Sequence, residues 1–549
     1  MPFRKSCDGS LRGGVQASSR TLWLRRGRIV SPGTDSGESE SLLTWGERIV
    51  AVGKDDEVAR HPLAGMAEQV DAAGRRVIPG IVDAHVHFAA AVEGRTAVDL
   101  GSCATLEEVV ERLSRRAETL PLSAWVRGMH FDHNRFAEKR LPERRELDRI
   151  PNPVLLTRLC YHAHCANTPA LRAAGVLDAP DLPEGFQRDA EGTLTGVVLE
   201  SGADRLYRAY RAAGGDEEAL LEGMARMMEE WASFGITSFN TTSAEHIGIV
   251  ESLGAYQELQ RRGRQLQRVV VHTNSLPPFG MQSGFGSSLL RFGGLKLFAD
   301  GGFCARTGAM SFVYPGEETS GYRGLLAYGD EELYALFRDA QQRGVQIAVH
   351  CIGDRALDQI LDAFERAQRT FPRSDLRHRV IHCYVVRPDQ RKRMRALGLA
   401  ADVQPRFLAD EIDIAEANLP GPVRPFSYAW RSLLDEDLLV TGSSDCPAAH
   451  PNPWLGVEAA VNRVRALERT PAGGWGPEQK LTLDEALALF TKNAAEAVGL
   501  DEAGRLEPGM LADFLLLEDD PWEMDPEKLG NVRVWRTYRG GELLFERTR

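Results

Sequence analysis

Through its long middle, this 549-residue chain alternates short apolar runs with amphipathic stretches of helical length, such as DEEALLEGMARMMEEWASFG at 216–235 and EELYALFRDAQQRG at 331–344. A continuous apolar run in a strand must be covered on both faces, and an amphipathic helix must bury one stripe. Repeated βα units around a parallel sheet meet both demands. Candidate strands fall near 78–87, 154–160, 236–242, 268–275, 293–299, 346–352, 379–385, 399–404 and 438–444. These are nine runs, one more than an eight-stranded barrel uses. The interval from His87 to Gly235 is too long for one βα connection, so an insertion of about residues 90–215 is expected there, carrying the 154–160 run. Without it, eight strands and a core of barrel size remain. The predicted fold class is α/β, a (β/α)8 TIM-like barrel with an insertion after its first strand.

Both ends read differently. Runs such as LWLRRGRIV and ERIVAVG within 21–53, split by SPGTDSGESES, predict small antiparallel β-structure; GRLEPGMLADFLLLE and VRVWRTYRGGELLFE near the other end predict the same. Chain ends often meet in space, so residues 21–75 and 502–549 are expected to form one small domain beside a barrel over 76–501. The Arg- and Ser-rich residues 1–20 lack the apolar core of a secretory signal and are expected to be a disordered leader.

The polar residues that end the predicted strands carry the chemistry. VIPGIVDAHVHF places His85 and His87 two apart, on one face of an extended strand. With 13 histidines in the chain, such a pair arises by composition alone in roughly one chain in three; a second, His162 and His164, lies in YHAHCAN. Spacing therefore decides nothing by itself. Lys296 in GLKLFADGG, His350 in IAVHCIGD, His382 in VIHCY and Asp445 in TGSSDCP end or occupy four further strands. Each histidine alone is more often a hydrogen-bonded core residue, and SSD alone would serve as a helix cap. Together they fall in register at the barrel face where catalytic groups gather, and four neutral nitrogens with a carboxylate suit Zn²⁺ or another divalent first-row ion.

Composition narrows the partners. Net charge is 66 − 78 = −12 with no basic block, so nucleic acid is not expected as a partner. No run approaches the roughly 20 apolar residues of a membrane span. Eight cysteines without a CxxC pair argue for a reducing cytoplasm rather than a disulfide framework. Cys351, Cys383 and Cys446 each follow a candidate ligand, and strand alternation turns them toward the helices as packing residues.

The motifs VIPGIVDAHVH, GLKLFADGG, VHCIGDRA, GSSDCPAAHPNPWLGV, LTLDEALALFTKNAAEAVGL and GRLEPGMLADFLLLE resemble the amidohydrolase superfamily, in particular its amidohydrolase-3 (YtcJ-like) branch, across roughly residues 21–545. The resemblance implies a composite β-sandwich from both termini and a centre of one or two metal ions. His85, His87 and Asp445 match the ligands of the first ion, and His350 and His382 those of the second. Lys296 matches a lysine that captures CO₂ and bridges both ions as a carbamate. It implies hydrolysis of a C–N bond in an amide, N-substituted formamide or cyclic amide, with Asp445 moving the proton and Arg306 and His162 as candidate substrate contacts. Three departures stand out: Ile381 where relatives often have Glu, DGGFCAR where they often have DGS, and His164 as an addition. Glu200 matches a position without an assigned role, and Cys304 falls near the barrel mouth. A small-molecule substrate is expected, and a homodimer is compatible with the sequence. Ester, lactone or non-hydrolytic chemistry on the same centre and a non-catalytic binding protein are the competing readings; the second fits poorly with six filled ligand positions.

Overall fold

The computed structural model describes residues 20–34, 37–159, 161–177, 179, 182, 185–213, 217–243, 253–277 and 280–548; the leader expected over 1–20 falls almost wholly outside them. Eight parallel strands form one sheet: β1 (Ile81–Val86), β2 (Ile236–Thr242), β3 (Arg268–Thr273), β4 (Leu290–Phe298), β5 (Gln346–Cys351), β6 (Arg379–His382), β7 (Ala400–Val403) and β8 (Val440–Gly442). Strands pair in chain order from β1 to β8, so the chain winds one way around an axis. Beyond the last strand the ring is closed by two backbone hydrogen bonds: Asp445 N–H to the His85 carbonyl at 2.9 Å and His87 N–H to the Cys446 carbonyl at 2.7 Å. The fold is thus the expected α/β barrel.

Amphipathic helices sheathe the strands. Asp354–Thr370 buries Ala356, Leu357, Ile360, Leu361, Ala363, Phe364 and Ala367, the i, i+3, i+4 stripe of a core-facing helix. Asp330–Arg343 stops at Gly344, whose φ of 73° supplies the left-handed cap. Phe88, immediately after His87, is fully buried, stacked on Phe239 at 4.7 Å and edge-on to Trp231 at 4.8 Å. Burying a side chain of that size contributes about 1.5–3 kcal/mol, and here it pins the segment that carries both strand-end histidines. Cys351, Cys383 and Cys446 lie in the same strand-to-helix cluster.

Between β1 and β2 the chain builds a separate six-stranded sheet from segments within 98–199, with apolar clusters of its own. The 154–160 run is one of its strands, Val154–Arg158. Strands from both ends of the chain share a five-stranded sheet, Arg28–Ile29 and Arg76–Pro79 joining Phe514–Leu517, Val534–Arg539 and Glu542–Glu546. Asp513, beside that sheet, accepts two hydrogen bonds at 2.7 and 3.0 Å from Arg268 of β3, both groups buried. Among the described residues no helix is long and apolar enough to cross a membrane.

Candidate metal centre

Asp83 and His85 alternate along β1, and His87, one residue past its end, continues the same period. Asp83 lies deepest. It accepts the Ser444 N–H at 3.0 Å, the Ser444 hydroxyl at 2.6 Å and the His85 N–H at 3.4 Å; burial nonetheless pushes its carboxyl up to about 7. These contacts and the two closing hydrogen bonds seat the loop after β8 against the end of β1. Asp445 takes a φ of 54° and His382 a φ of 80°, left-handed values that cost a non-glycine residue about 1–3 kcal/mol and persist where the surroundings impose them.

One oxygen of Asp445 is the focus of the cluster. Asp445 Oδ1 lies 3.2 Å from His85 Nε2 and 3.5 Å from His87 Nε2, and Lys296 Nζ lies 3.4 Å from the same His85 nitrogen. The candidate ligand atoms of His85, His382 and Asp445 all fall within 4.8 Å of one another. His350 stands outside that set but meets His382 edge-on, ring centroids 4.5 Å apart. The structure therefore gathers all six residues singled out from the sequence, three of them in the tightest group.

The proton positions follow from the outer partners. His87 Nδ1 lies 2.8 Å from the Thr242 carbonyl, so it carries the proton and leaves Nε2 toward the centre. His382 Nδ1 lies 2.7 Å from Gln404 Oε1. Gln404 is held in that orientation because its amide donates to Ser443 Oγ at 2.8 Å, which in turn donates to Asp402 at 3.0 Å. His350 directs Nε2 at the Gly301 carbonyl, 3.1 Å away. Partners of this kind fix the ring and tautomer of a metal-ligating histidine.

Burial pulls His85, His350 and His382 well below the usual imidazole range, so the rings are neutral, as ligation requires. Burial also lowers Lys296, against the pull of Asp445, and raises Asp445, against the pull of Lys296. Asp445 Oδ1 and His85 Nδ1 are buried without a hydrogen-bond partner. An oxygen crowded by imidazole nitrogens yet accepting no proton is costly unless a cation completes the group. The residues present fit a divalent ion.

The cluster forms the floor of a cavity of about 520 Å³, to which His87, Lys296, His350, His382 and Asp445 all contribute. The inserted segment supplies one wall through Arg158, Tyr161 and His162; the helix Pro405–Asn418 supplies another. His162 Nδ1 lies 2.8 Å from Glu200 Oε2, so Glu200, which matches a position without an assigned role, is a partner of a cavity residue. A Cβ on Gly302 would come within 3.2 Å of the His162 ring, which accounts for the second glycine of DGGFCAR. Arg306 is not among the residues lining the cavity. Its guanidinium donates to the Pro315 carbonyl and lies 5.2 Å from the centre of the Tyr314 ring.

The sequence reading passed over Gln404 and Asp83. Both carry a signal: Gln404 ends the predicted 399–404 strand at the level of the other strand-end residues, and Asp83 precedes His85 by one strand period. Thr242 acts through its backbone carbonyl, which no side-chain pattern reveals.

The model of a family described as the amidohydrolase family matches residues 68–545. A Bacillus subtilis (strain 168) protein named as an amidohydrolase, YtcJ, is 27% identical over 489 residues, 88% of this chain and 91% of that one. The N-substituted formamide deformylase of Arthrobacter pascens is 30% identical over 534 residues, 93% and 95% of the two chains. The crystal structure of an uncharacterized metal-dependent hydrolase from Pyrococcus horikoshii OT3 superposes with a TM-score of 0.76 at 26% identity, covering 92% of this chain and 99% of that one.

Proposed function

Since the chain belongs to the amidohydrolase family, we propose that it hydrolyses a carbon–nitrogen bond of a small amide, N-substituted formamide or cyclic amide with water activated at a divalent metal centre. The observation that carries this reading is the buried convergence of His85, His382 and Asp445 within 4.8 Å, with Lys296 3.4 Å from His85. The likeness to a formamide deformylase across 93% of the chain supports the bond class.

In this reading His85, His87 and Asp445 would hold a first ion and His350 and His382 a second. Zinc suits four neutral nitrogens and a carboxylate best. Lys296 would bridge the two as a carbamate, because an ammonium cannot ligate a cation whereas the neutral amine that burial favours captures CO₂. A bound divalent ion supplies Lewis acidity, polarising the substrate carbonyl and bringing the pKa of water toward about 7. Asp445 takes the proton from the attacking water and returns it to the leaving nitrogen. His162, its ring fixed through Nδ1 by Glu200, faces the substrate from the opposite wall. The free cysteines of the described residues support the cytoplasm as its place of work.

The test is elemental analysis of protein purified without chelator, together with turnover of a panel of formamides, amides and esters. The expected result is close to two equivalents of zinc per chain, less in Lys296→Ala, and faster turnover of C–N substrates than of esters. Protein that takes up no metal even after incubation with zinc and bicarbonate would end this reading.

A further inference from the structure

The cavity above the metal centre is lined by four carboxylates beyond the candidate ligands: Asp132, Asp410, Glu411 and Asp413. Three have a cation of their own. Asp132 pairs with Arg158 at 2.7 Å, Asp410 with Arg406 at 2.9 Å, and Asp413 with Arg465. Glu411 is held differently, by neutral donors: the Cys304 thiol at 2.9 Å, the Tyr384 hydroxyl at 3.0 Å and the Tyr428 hydroxyl at 3.4 Å. Burial raises the Glu411 carboxyl above its ordinary range, and these three donors work against that rise without supplying a countercharge.

A cluster of aromatic rings lies beside this carboxylate, Tyr384 and Tyr428 meeting it through their hydroxyls. Ring centroids of Tyr384 lie 4.4 Å from Tyr428, 5.3 Å from Phe303 and 6.5 Å from Phe407, and Phe303, Tyr384 and Phe407 line the cavity. Tyr384 also measures the distance to the reacting end: its ring lies 6.0 Å from the His382 ring while its hydroxyl ends at Glu411. A carboxylate and an aromatic cluster lining the same cavity are the chemistry that recognises an organic cation.

We propose that this wall is a cation subsite: the substrate carries a protonated amine about the length of a tyrosine side chain from its scissile bond, seated against Glu411 and the faces of Phe303, Tyr384 and Phe407. The inference rests on the hydrolase reading above for what happens at the other end of that substrate; the subsite itself is testable without turnover.

The experiment is calorimetric titration of the metal-loaded protein with n-butylammonium and with n-butanol, followed by kcat/KM for N-(aminobutyl)formamide against N-pentylformamide, in which a methyl replaces the ammonium. The wild type is expected to bind n-butylammonium at least about tenfold more tightly than n-butanol. In Glu411→Gln that ratio falls to within about twofold, while Glu411→Asp keeps part of it; the ratio of the two formamides follows the same order. Equal affinities in the wild type, which need no variant to observe, overturn the subsite, as does a preference that survives intact in a folded Glu411→Gln. Turnover of N-pentylformamide with no ammonium preference removes the subsite and leaves the hydrolase. An ammonium preference without turnover of either formamide removes the formamide reading and leaves the subsite.

Discussion

The chain contains two HxH pairs, and the structure uses them in opposite ways. His85 and His87 sit at the end of one barrel strand, and other strands of the same barrel bring Lys296, His382 and Asp445 to the same point. His162 precedes and His164 lies within an interior strand of the inserted sheet, and the two separate. Tyr161, with a φ of 62°, bends the chain before the strand Ala163–Ala166 begins. His162 then reaches the cavity and Glu200, whereas His164 is fully buried beside the Tyr207 hydroxyl at 3.4 Å. Identical spacing thus yields a candidate ligand pair in one place, and one cavity residue plus one packing residue in the other. What differs is how many other strands end nearby, so a pair of histidines gains meaning from topology and not from its own motif.

The sharpest way to break that comparison is to remove one histidine from each pair. His85→Ala is expected to lose bound metal and at least about a thousandfold in kcat, whereas His162→Ala keeps its metal and loses about ten- to a hundredfold. Elemental analysis with steady-state kinetics reads both, and equal metal loss from the two variants would erase the distinction drawn here. A smaller effect sharpens the role of outer partners. Gln404→Leu leaves every proposed ligand in place but removes the acceptor of His382 Nδ1, and metal affinity should fall about ten- to a hundredfold. Competition with a zinc chelator measures this, and unchanged affinity would show that His382 needs no such partner. The smallest effect concerns His164, which burial lowers from 6.5 to about 3. Between those values the unfolded chain binds a proton that the folded chain refuses, so this residue's contribution is complete above pH 6.5 and is lost as the pH falls toward about 3. His164→Gln should keep metal and activity and flatten the decline of Tm with acid over that window. A decline as steep as the wild type's would place the acid sensitivity elsewhere.

The barrel was legible because each of its strands is a short apolar run bounded by a break in periodicity, and those runs are local. The six candidate residues were legible for the same reason: each lies near or just past the C-terminal end of one of those runs, where a parallel barrel gathers its side chains. Gln404, Thr242 and Glu411 were harder because their roles depend on which loop lies across from them. Gln404 matters through His382, a strand away; Glu411 is read only once Cys304 and Tyr384 are known to meet it. Arg306 shows the converse, since its place in a suggestive loop said nothing of the turn that sends its guanidinium to Pro315.

The seam between β1 and the segment after β8 bears on how this protein comes into being. Asp83 and Ser444 are 361 positions apart, and their contact and the His85–Asp445 and His87–Cys446 hydrogen bonds all lie at that junction. During synthesis the first strand must therefore wait, its histidines exposed, while the insertion and seven more strands emerge from the ribosome. Contacts of such separation are the slowest for a chain to make. Nascent fragments that stop short of residue 445 lack the carboxylate on which His85, His87 and His382 converge, and the completed cluster in turn certifies that first and last strands have met.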